Sequence, residues 1–309
     1  MSTTVAQAAA APETAALGPW RQALYRFRRR PLGVAALSIV VAFFVVGFFA
    51  KRIAPYAADD EFLKYLAHPQ PPLTEHHLLG TDAISHDFLS QLLVAIHETT
   101  ISSLTCAGLA TVAGTIVGAL AGYYGGWFDA LANWVTTVVV AVPAIAFLLV
   151  VIVWNRTPVT PMEYAYWLTA ILWIPVARVV RATVLTLRGR EYIEAAQALG
   201  AVSPRIIARH IIPNAGGTIL VAATTVVSQS IVLVATVDYL GYGFNQYNKP
   251  TLGGLLADAT RGTAAVPGTF VPAPSPWWLF VFPAVLLVLL LVSINFAGDA
   301  LDDALNPRT

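Results

Sequence analysis

The stretch Thr99–Tyr123, TTISSLTCAGLATVAGTIVGALAGY, decides the fold of this chain. It carries no charge, and at 1.5 Å of rise per residue it is long enough to cross roughly 30 Å of hydrocarbon as a helix. Gly114, Gly118 and Gly122 recur at every fourth position. They stack on one face, where they let another helix backbone approach closely. Such stripes occur in many multi-pass proteins, so this one speaks for packing and not for a particular function.

Outward from this segment, five more qualify as spans: Gly33 to Ala50, Trp127 to Trp154, Tyr164 to Leu187, Thr218 to Val237 and Trp277 to Ala297. Composition agrees. Of 309 residues 57% are hydrophobic and 11% charged, with a mean hydropathy of +0.67, against a charged share of about 25% in soluble domains. The expectation is an all-α membrane protein of six transmembrane helices, with the lipid bilayer as its solvent. Ala8 to Ala11 precede the first apolar stretch and Lys51-Arg52 follow it. A cleaved signal peptide has the reverse order, so the first span is expected to stay as an anchor.

Several function classes drop out. The net charge of +1 offers no field for a polyanion, which excludes DNA and RNA as partners. A single cysteine, Cys106, excludes an internal disulfide or a multi-cysteine metal site. The only lysines, Lys51, Lys64 and Lys249, are not set in a phosphate-binding G-x-x-x-x-G-K-[ST] frame. No H-E-x-x-H, no G-x-S-x-G and no carboxylate pair within a span is present, so no catalytic residue, cofactor or metal is assigned. His68, His76, His77, His86 and His97 fall in one segment but lack a fixed ligand spacing.

Positive charge sets the orientation. Arg21, Arg26, Arg28, Arg29 and Arg30 precede span one, and Arg188, Arg190, Arg205 and Arg209 follow span four, with Arg178 and Arg181 able to snorkel toward the same surface. Both stretches face the cytoplasm if six crossings are made. Both termini are then cytoplasmic, and the acidic residues Asp59, Asp60 and Glu61 are outside. The chain divides into a cytoplasmic segment 1–32, a first span 33–50, an extracytoplasmic segment 51–98, a core 99–297 with an outer loop 238–276, and a cytoplasmic tail 298–309.

Two features within the core stand out. Pro143, Pro175 and Pro283 sit inside apolar runs, where each frees a carbonyl and can fix a kink or serve as a hinge. Span five is the most polar, with Thr224, Thr225, Ser228, Gln229 and Ser230, then Asp238 at its outer end. Polar groups in a span face protein or water. Gln229 and Asp238 are therefore candidates for a pathway or gate, the alternative for Asp238 being a helix end at the interface.

Between spans four and five runs EYIEAAQALGAVSPRIIARHIIPN, residues 191–214. Glu, Ala, Gln and Leu favour a short helix, Gly200 can end it in the left-handed conformation, and Ser203 can cap a second helix with Pro204 in its first turn. The expected result is a helix-turn-helix elbow across the cytoplasmic surface.

This elbow resembles the hallmark of the inner-membrane permease subunits of ABC importers, E-A-A-x-x-x-G followed by a hydrophobic-Pro ending. Glu194, Ala195, Ala196, Gly200 and Ile212-Pro213 fall at those positions. More narrowly the chain is similar, from about Arg28 to its end, to the C-type subunit of the dipeptide and oligopeptide permease family. Arg29-Arg30-Pro31-Leu32-Gly33, His77-Leu78-Leu79-Gly80-Thr81-Asp82, Ala121-Gly122-Tyr123-Tyr124-Gly125-Gly126-Trp127 and Gly298-Asp299-Ala300-Leu301 carry that likeness. It departs at Ser85-His86-Asp87, at Thr236 to Gly243, and at an apparent insertion from Gly262 to Pro276.

The resemblance implies a type I importer transmembrane domain with a cytoplasmic coupling helix, in the cytoplasmic (inner) membrane of a bacterium. It implies three kinds of partner: a second permease subunit, two cytoplasmic ABC ATPases and an extracytoplasmic substrate-binding protein. Glu191, Glu194, Ala195, Ala196, Gly200, Arg205, Pro213 and Asn214 become the expected ATPase-coupling residues. Peptide is the implied substrate. The alternative within the family is nickel or another small solute, and a self-sufficient channel or secondary transporter would need in-span ion relays or internal repeats that the sequence lacks.

Overall fold

The structure, a computed structural model, describes residues 19–58, 69–74, 76–82, 85–154, 161–242, 249–261, 263–266, 269–271 and 276–305. Residues 1–18, the acidic run Asp59 to Glu61, His68, Gly262 and the last residues of the tail, 306–309, lie outside the described residues. The elements in order are α1 (Pro19–Arg28), α2 (Pro31–Ile53), α3 (Phe88–Tyr124), α4 (Gly126–Val140), α5 (Ala144–Trp154), α6 (Pro161–Arg188), α7 (Glu191–Ala198), α8 (Ser203–Ile206), a π turn (Ile207–Ile211), α9 (Ile212–Tyr239), α10 (Leu252–Arg261), β1 (Thr263–Val266), β2 (Thr269–Val271) and α11 (Trp277–Leu305).

Among the described residues five helices are long and apolar enough to cross a membrane, and α4 with α5, bent by 78°, passes the same test as a pair and is a sixth if it counts as one span. The bend explains why span three is two helices. Pro143 cannot donate to the ladder and clashes with the preceding turn, so α4 ends at Val140 and α5 starts at Ala144. Pro175 and Pro283, in contrast, lie inside the unbroken α6 and α11.

Local chemistry sets the other ends and corrects several expected ones. Span one begins at Pro31, the favoured first position of a helix, and runs to Ile53 instead of Ala50, with Lys51 and Arg52 in its last turn where they complement the helix dipole. Span two begins at Phe88 instead of Thr99, because Asp87 caps it: the carboxylate accepts from the Ser90 backbone N–H at 2.9 Å and from the Ser90 hydroxyl at 2.7 Å. Asp87 also meets His77 Nδ1 at 2.9 Å, and His86 Nδ1 lies 2.9 Å from Asp82. These histidines are thus engaged with carboxylates at the head of α3.

The outer loop 238–276 is not all loop. Its middle forms α10, capped by Thr251, whose Oγ1 accepts from Gly254 N–H at 3.1 Å. α10 packs on α9 and α11, so closely that a β-carbon on Gly253 would stand 2.2 Å from the Ala235 carbonyl oxygen. Beyond it lies the one departure from helix among the described elements, an antiparallel hairpin with Thr263 opposite Val271. Its Thr and Val residues suit extended backbone.

The most extensive helix pairing joins α3 to α6, and the glycine stripe is its seam. A β-carbon at Gly114 would lie 2.5 Å from the Trp173 carbonyl oxygen, one at Gly118 2.5 Å from that of Ala177, and one at Gly122 2.9 Å from that of Arg181. The start of α2 and the end of α11 meet at one end of the bundle. Arg30 is ion-paired with Asp303, Gly33 abuts Ala300, and Gly217 near the start of α9 abuts Leu305. The elbow leads into α9 there, so it shares this end with the start of α2 and the end of α11.

Candidate functional site

The elbow is built on one buried side chain. Within α7, Glu191, Glu194 and Ala195 are exposed and Ala196 is half-buried, whereas Ile193 is fully buried. Ile193 packs in the core cluster that also holds Tyr123, Val180, Val184, Ile206, Ile207 and Ile211. Two polar contacts reinforce this pivot: Gln197 Nε2 donates to the Tyr123 hydroxyl at 3.3 Å, and Arg188 Nη1 donates to the Tyr123 carbonyl at 3.1 Å. The short helix is thereby fastened to the ends of α3 and α6.

Gly200 closes α7 as expected. It adopts φ +81°, its N–H donates to the Gln197 carbonyl at 2.9 Å, and the Ala201 N–H donates to that of Ala196 at 3.0 Å. This is the Schellman pair of hydrogen bonds, which requires a left-handed residue. Nothing lies within 4 Å of a β-carbon built there, so the demand for glycine is conformational and not a matter of space.

The second arm differs from expectation. Ser203 does not cap it; the cap is Val202, without a side-chain hydrogen bond, and Ser203 with Pro204 forms the first turn. The arm also does not stop before span five. From Ser203 to Tyr239 the helix is continuous, so span five starts at Ser203 and not at Thr218. Pro213 is accommodated within it by the π turn, in which the Ile212 N–H reaches back to Ile207. The wider turn makes room for a residue that has no N–H to give. Arg205 and Pro213 are exposed, and the exposed Asn214 donates to the His210 carbonyl.

The turn between the arms presents Leu199, 88% exposed, and Val202, 64% exposed. The first arm of the same elbow carries the exposed Glu191 and Glu194. Among the described residues neither glutamate has a side-chain partner. Sequence reading passed over Leu199 and Val202, since only the left-handed turn reveals that both project outward. It also passed over Ile193, although that residue is the one large aliphatic in the first turn of α7.

The two pathway candidates are not brought together. Gln229 is exposed on α9 and lines a cleft of about 490 Å3 with Ser228, Val232, Pro143 and Pro175. Asp238 is buried in the last turn of α9, close enough to Tyr164 for the two to interact electrostatically. A second cleft, of about 290 Å3, lies between α4 and α6 and is lined by Gly118, Ala121, Asn133, Thr136, Arg178 and Arg181. Arg181 locks these helices together: its Nη2 donates to Asp129 Oδ2 at 2.7 Å and its Nε to the other oxygen. A lone acid in span three and arginines in span four were a legible signal, because charges in a span need partners.

Comparison with known proteins gives the class. Residues 114–309 match the family described as the binding-protein-dependent transport system inner membrane component, and residues 18–72 match the N-terminal transmembrane domain of oligopeptide transport permease C. The chain belongs to this permease family, and its fold is that of a type I ABC importer transmembrane domain.

Among individual relatives, the oligopeptide transport system permease protein OppC of Mycobacterium tuberculosis is 36% identical over 92% of this chain and 93% of its own. OppC of Bacillus subtilis is 32% identical over 94% and 90%, and the glutathione transport system permease protein GsiD of Escherichia coli is 32% identical over 94% and 91%. A chain of the MetNI methionine ABC transporter, solved in inward-facing conformations, superposes with a TM-score of 0.56 at 23% identity, covering 71% of this chain and 98% of that one. That likeness bears on the fold alone.

Proposed function

We propose that this chain is one half of the pore of an ATP-driven importer that carries peptides across the cytoplasmic membrane of a bacterium. A second, related permease completes the pathway, two ATPases dock on the cytoplasmic face, and an extracytoplasmic binding protein delivers the substrate. The observation that carries this reading is the elbow. A helix bearing free Glu191 and Glu194 is hinged on buried Ile193 and ended by left-handed Gly200, and a second helix from Ser203 runs unbroken past Arg205, Pro213 and Asn214 into a membrane span. A push on its exposed face would reach α3 and α6 through Ile193 and Tyr123, and α9 through the continuous helix. Such a lever biases two arrangements of the spans, which is what alternating access requires.

Peptide as substrate is supported by the match of residues 18–72 and by relatives named for oligopeptide and glutathione transport. The arginine-rich stretches before α2 and after α6 support a cytoplasmic position for the elbow and both termini. The residues before α2 and the end of α11 are then cytoplasmic, the segment 54–87 between α2 and α3 faces outward, and the core starts with α3 at Phe88. Hydrolysis is assigned to the ATPases, so this chain itself is not an enzyme.

Purifying the tagged chain from its own membrane tests the reading. It should bring down a second permease and two ATPases, and proteoliposomes holding that complex should take up a labelled peptide only with ATP and the binding protein. Isolation as a lone, ATP-independent transporter would overturn it.

A further inference from the structure

Among the described residues, the Arg178 guanidinium has no hydrogen-bond or ion-pair partner, and neither does the Asn133 side-chain amide. Both line the cleft between α4 and α6, and both are exposed. Ten positions, about 15 Å of helix, separate Arg178 from the end of α6 at Arg188, within a helix long and apolar enough to cross a membrane. A charge within such a span faces water or an anion, or snorkels toward the surface.

The nearest acid cannot serve, because Asp129 is engaged on both oxygens by Arg181. The cleft therefore keeps one uncommitted cation and one uncommitted amide, a set whose donors suit a carboxylate. Its volume, about 290 Å3, holds a terminal residue and its carboxylate but not a whole peptide. Pro175 stands one turn from Arg178 and Val140 one turn from Thr136, and both Pro175 and Val140 line the larger cleft beside Gln229. The two clefts are thus neighbours along α4 and α6.

We propose that Arg178 and Asn133 form a carboxylate-binding station on the translocation path, which takes the C-terminal carboxylate of a peptide in transit. This rests on the peptide-import reading. One exposed guanidinium binds weakly enough to release its cargo, as a station within a path must.

The test uses the assembled complex, with this chain in a Cys106→Ala, Ala132→Cys background; Ala132 lines the same cleft. Labelling of this chain is followed by mass spectrometry with two methanethiosulfonates, one carrying a sulfonate and one a trimethylammonium, each rate normalised to that on a free thiol. The sulfonate reagent should react about tenfold faster, a size of electrostatic focusing expected in a low-dielectric cleft. Arg178→Gln should erase the ratio and Arg178→Lys should keep it. A free-acid peptide should protect the cysteine, and its C-terminal amide should not.

A ratio near one, or a ratio unmoved by Arg178→Gln, would overturn the proposal. So would separation of the two permeases in Arg178→Gln with no labelling in either form, which would place Arg178 in a salt bridge between subunits. Should Arg178→Gln fail to fold, the Lys variant and the acid-against-amide protection still decide. Peptide uptake by the parent complex is measured alongside: its absence counts against the import reading, whereas uptake without acid-specific protection counts against the station alone.

Discussion

Arg30, just before the first span, is ion-paired with Asp303 near the end of the last helix. Residues 273 positions apart in sequence thus meet at the end of the bundle where the elbow also lies. That meeting requires an even number of crossings, which the bent α4–α5 pair supplies by counting as one span. In a Cys106→Ala background, a cysteine at Ser203 should resist an impermeant thiol reagent added outside intact cells and should react after permeabilisation. Labelling from outside would invert the topology.

The α3–α6 seam makes opposite demands on two glycines of the same helix. Gly118→Ala would press a β-carbon to 2.5 Å from the Ala177 carbonyl oxygen, and overpacking of this kind costs about 1–3 kcal/mol. Nothing lies within 4 Å of a β-carbon at Gly108, where alanine should gain up to about 1 kcal/mol of helix propensity. Thermal melting of the purified chain should show shifts of opposite sign. Equal shifts would mean that the seam is not closely packed.

At the head of α3, Asp87 is 1% exposed and serves both Ser90 and His77. Asp87→Ala should cost about 1–3 kcal/mol, because it leaves buried donors without an acceptor, and it should admit protease to the segment 69–90. Asp87→Asn keeps one acceptor and should fall between. An unchanged digestion pattern in the alanine variant would deny the cap this role.

Much of this architecture is legible in the sequence because lipid leaves a helix few options. Apolar length and arginine placement give the spans, and the four-residue glycine stripe gives the α3–α6 seam before any partner is known. What escapes depends on distant residues. Nothing local distinguishes Pro143, which breaks its span, from Pro175 and Pro283, which do not; the packing around each decides. Ser203 has the chemistry of a cap, but Val202 takes that place because the helix begins one residue earlier, at Ser203 itself. Thr218 looked like the start of span five because the elbow upstream is polar, yet the helix runs through it from Ser203 on the strength of the π turn. The residues proposed for coupling form a local motif and so can be singled out from sequence, whereas the pivot Ile193, the latch at Tyr123 and the cleft at Arg178 exist only once α3, α4 and α6 are assembled.

The central claim is that the elbow transmits work, and Glu194 with Gly200 tests it most directly. In a mere connector, exposed substitutions change stability by no more than about 0.5 kcal/mol and leave activity alone. In a lever, Glu194→Ala removes a free carboxylate from the docking face, and Gly200→Leu forces a β-carbon into the left-handed region, at a cost of roughly 1–2 kcal/mol confined to the elbow. The measurement is substrate-stimulated ATP hydrolysis together with peptide uptake in the reconstituted complex carrying both substitutions. The account predicts a chain that inserts and assembles normally but loses stimulated hydrolysis and uptake. Wild-type coupling in that double variant would contradict it.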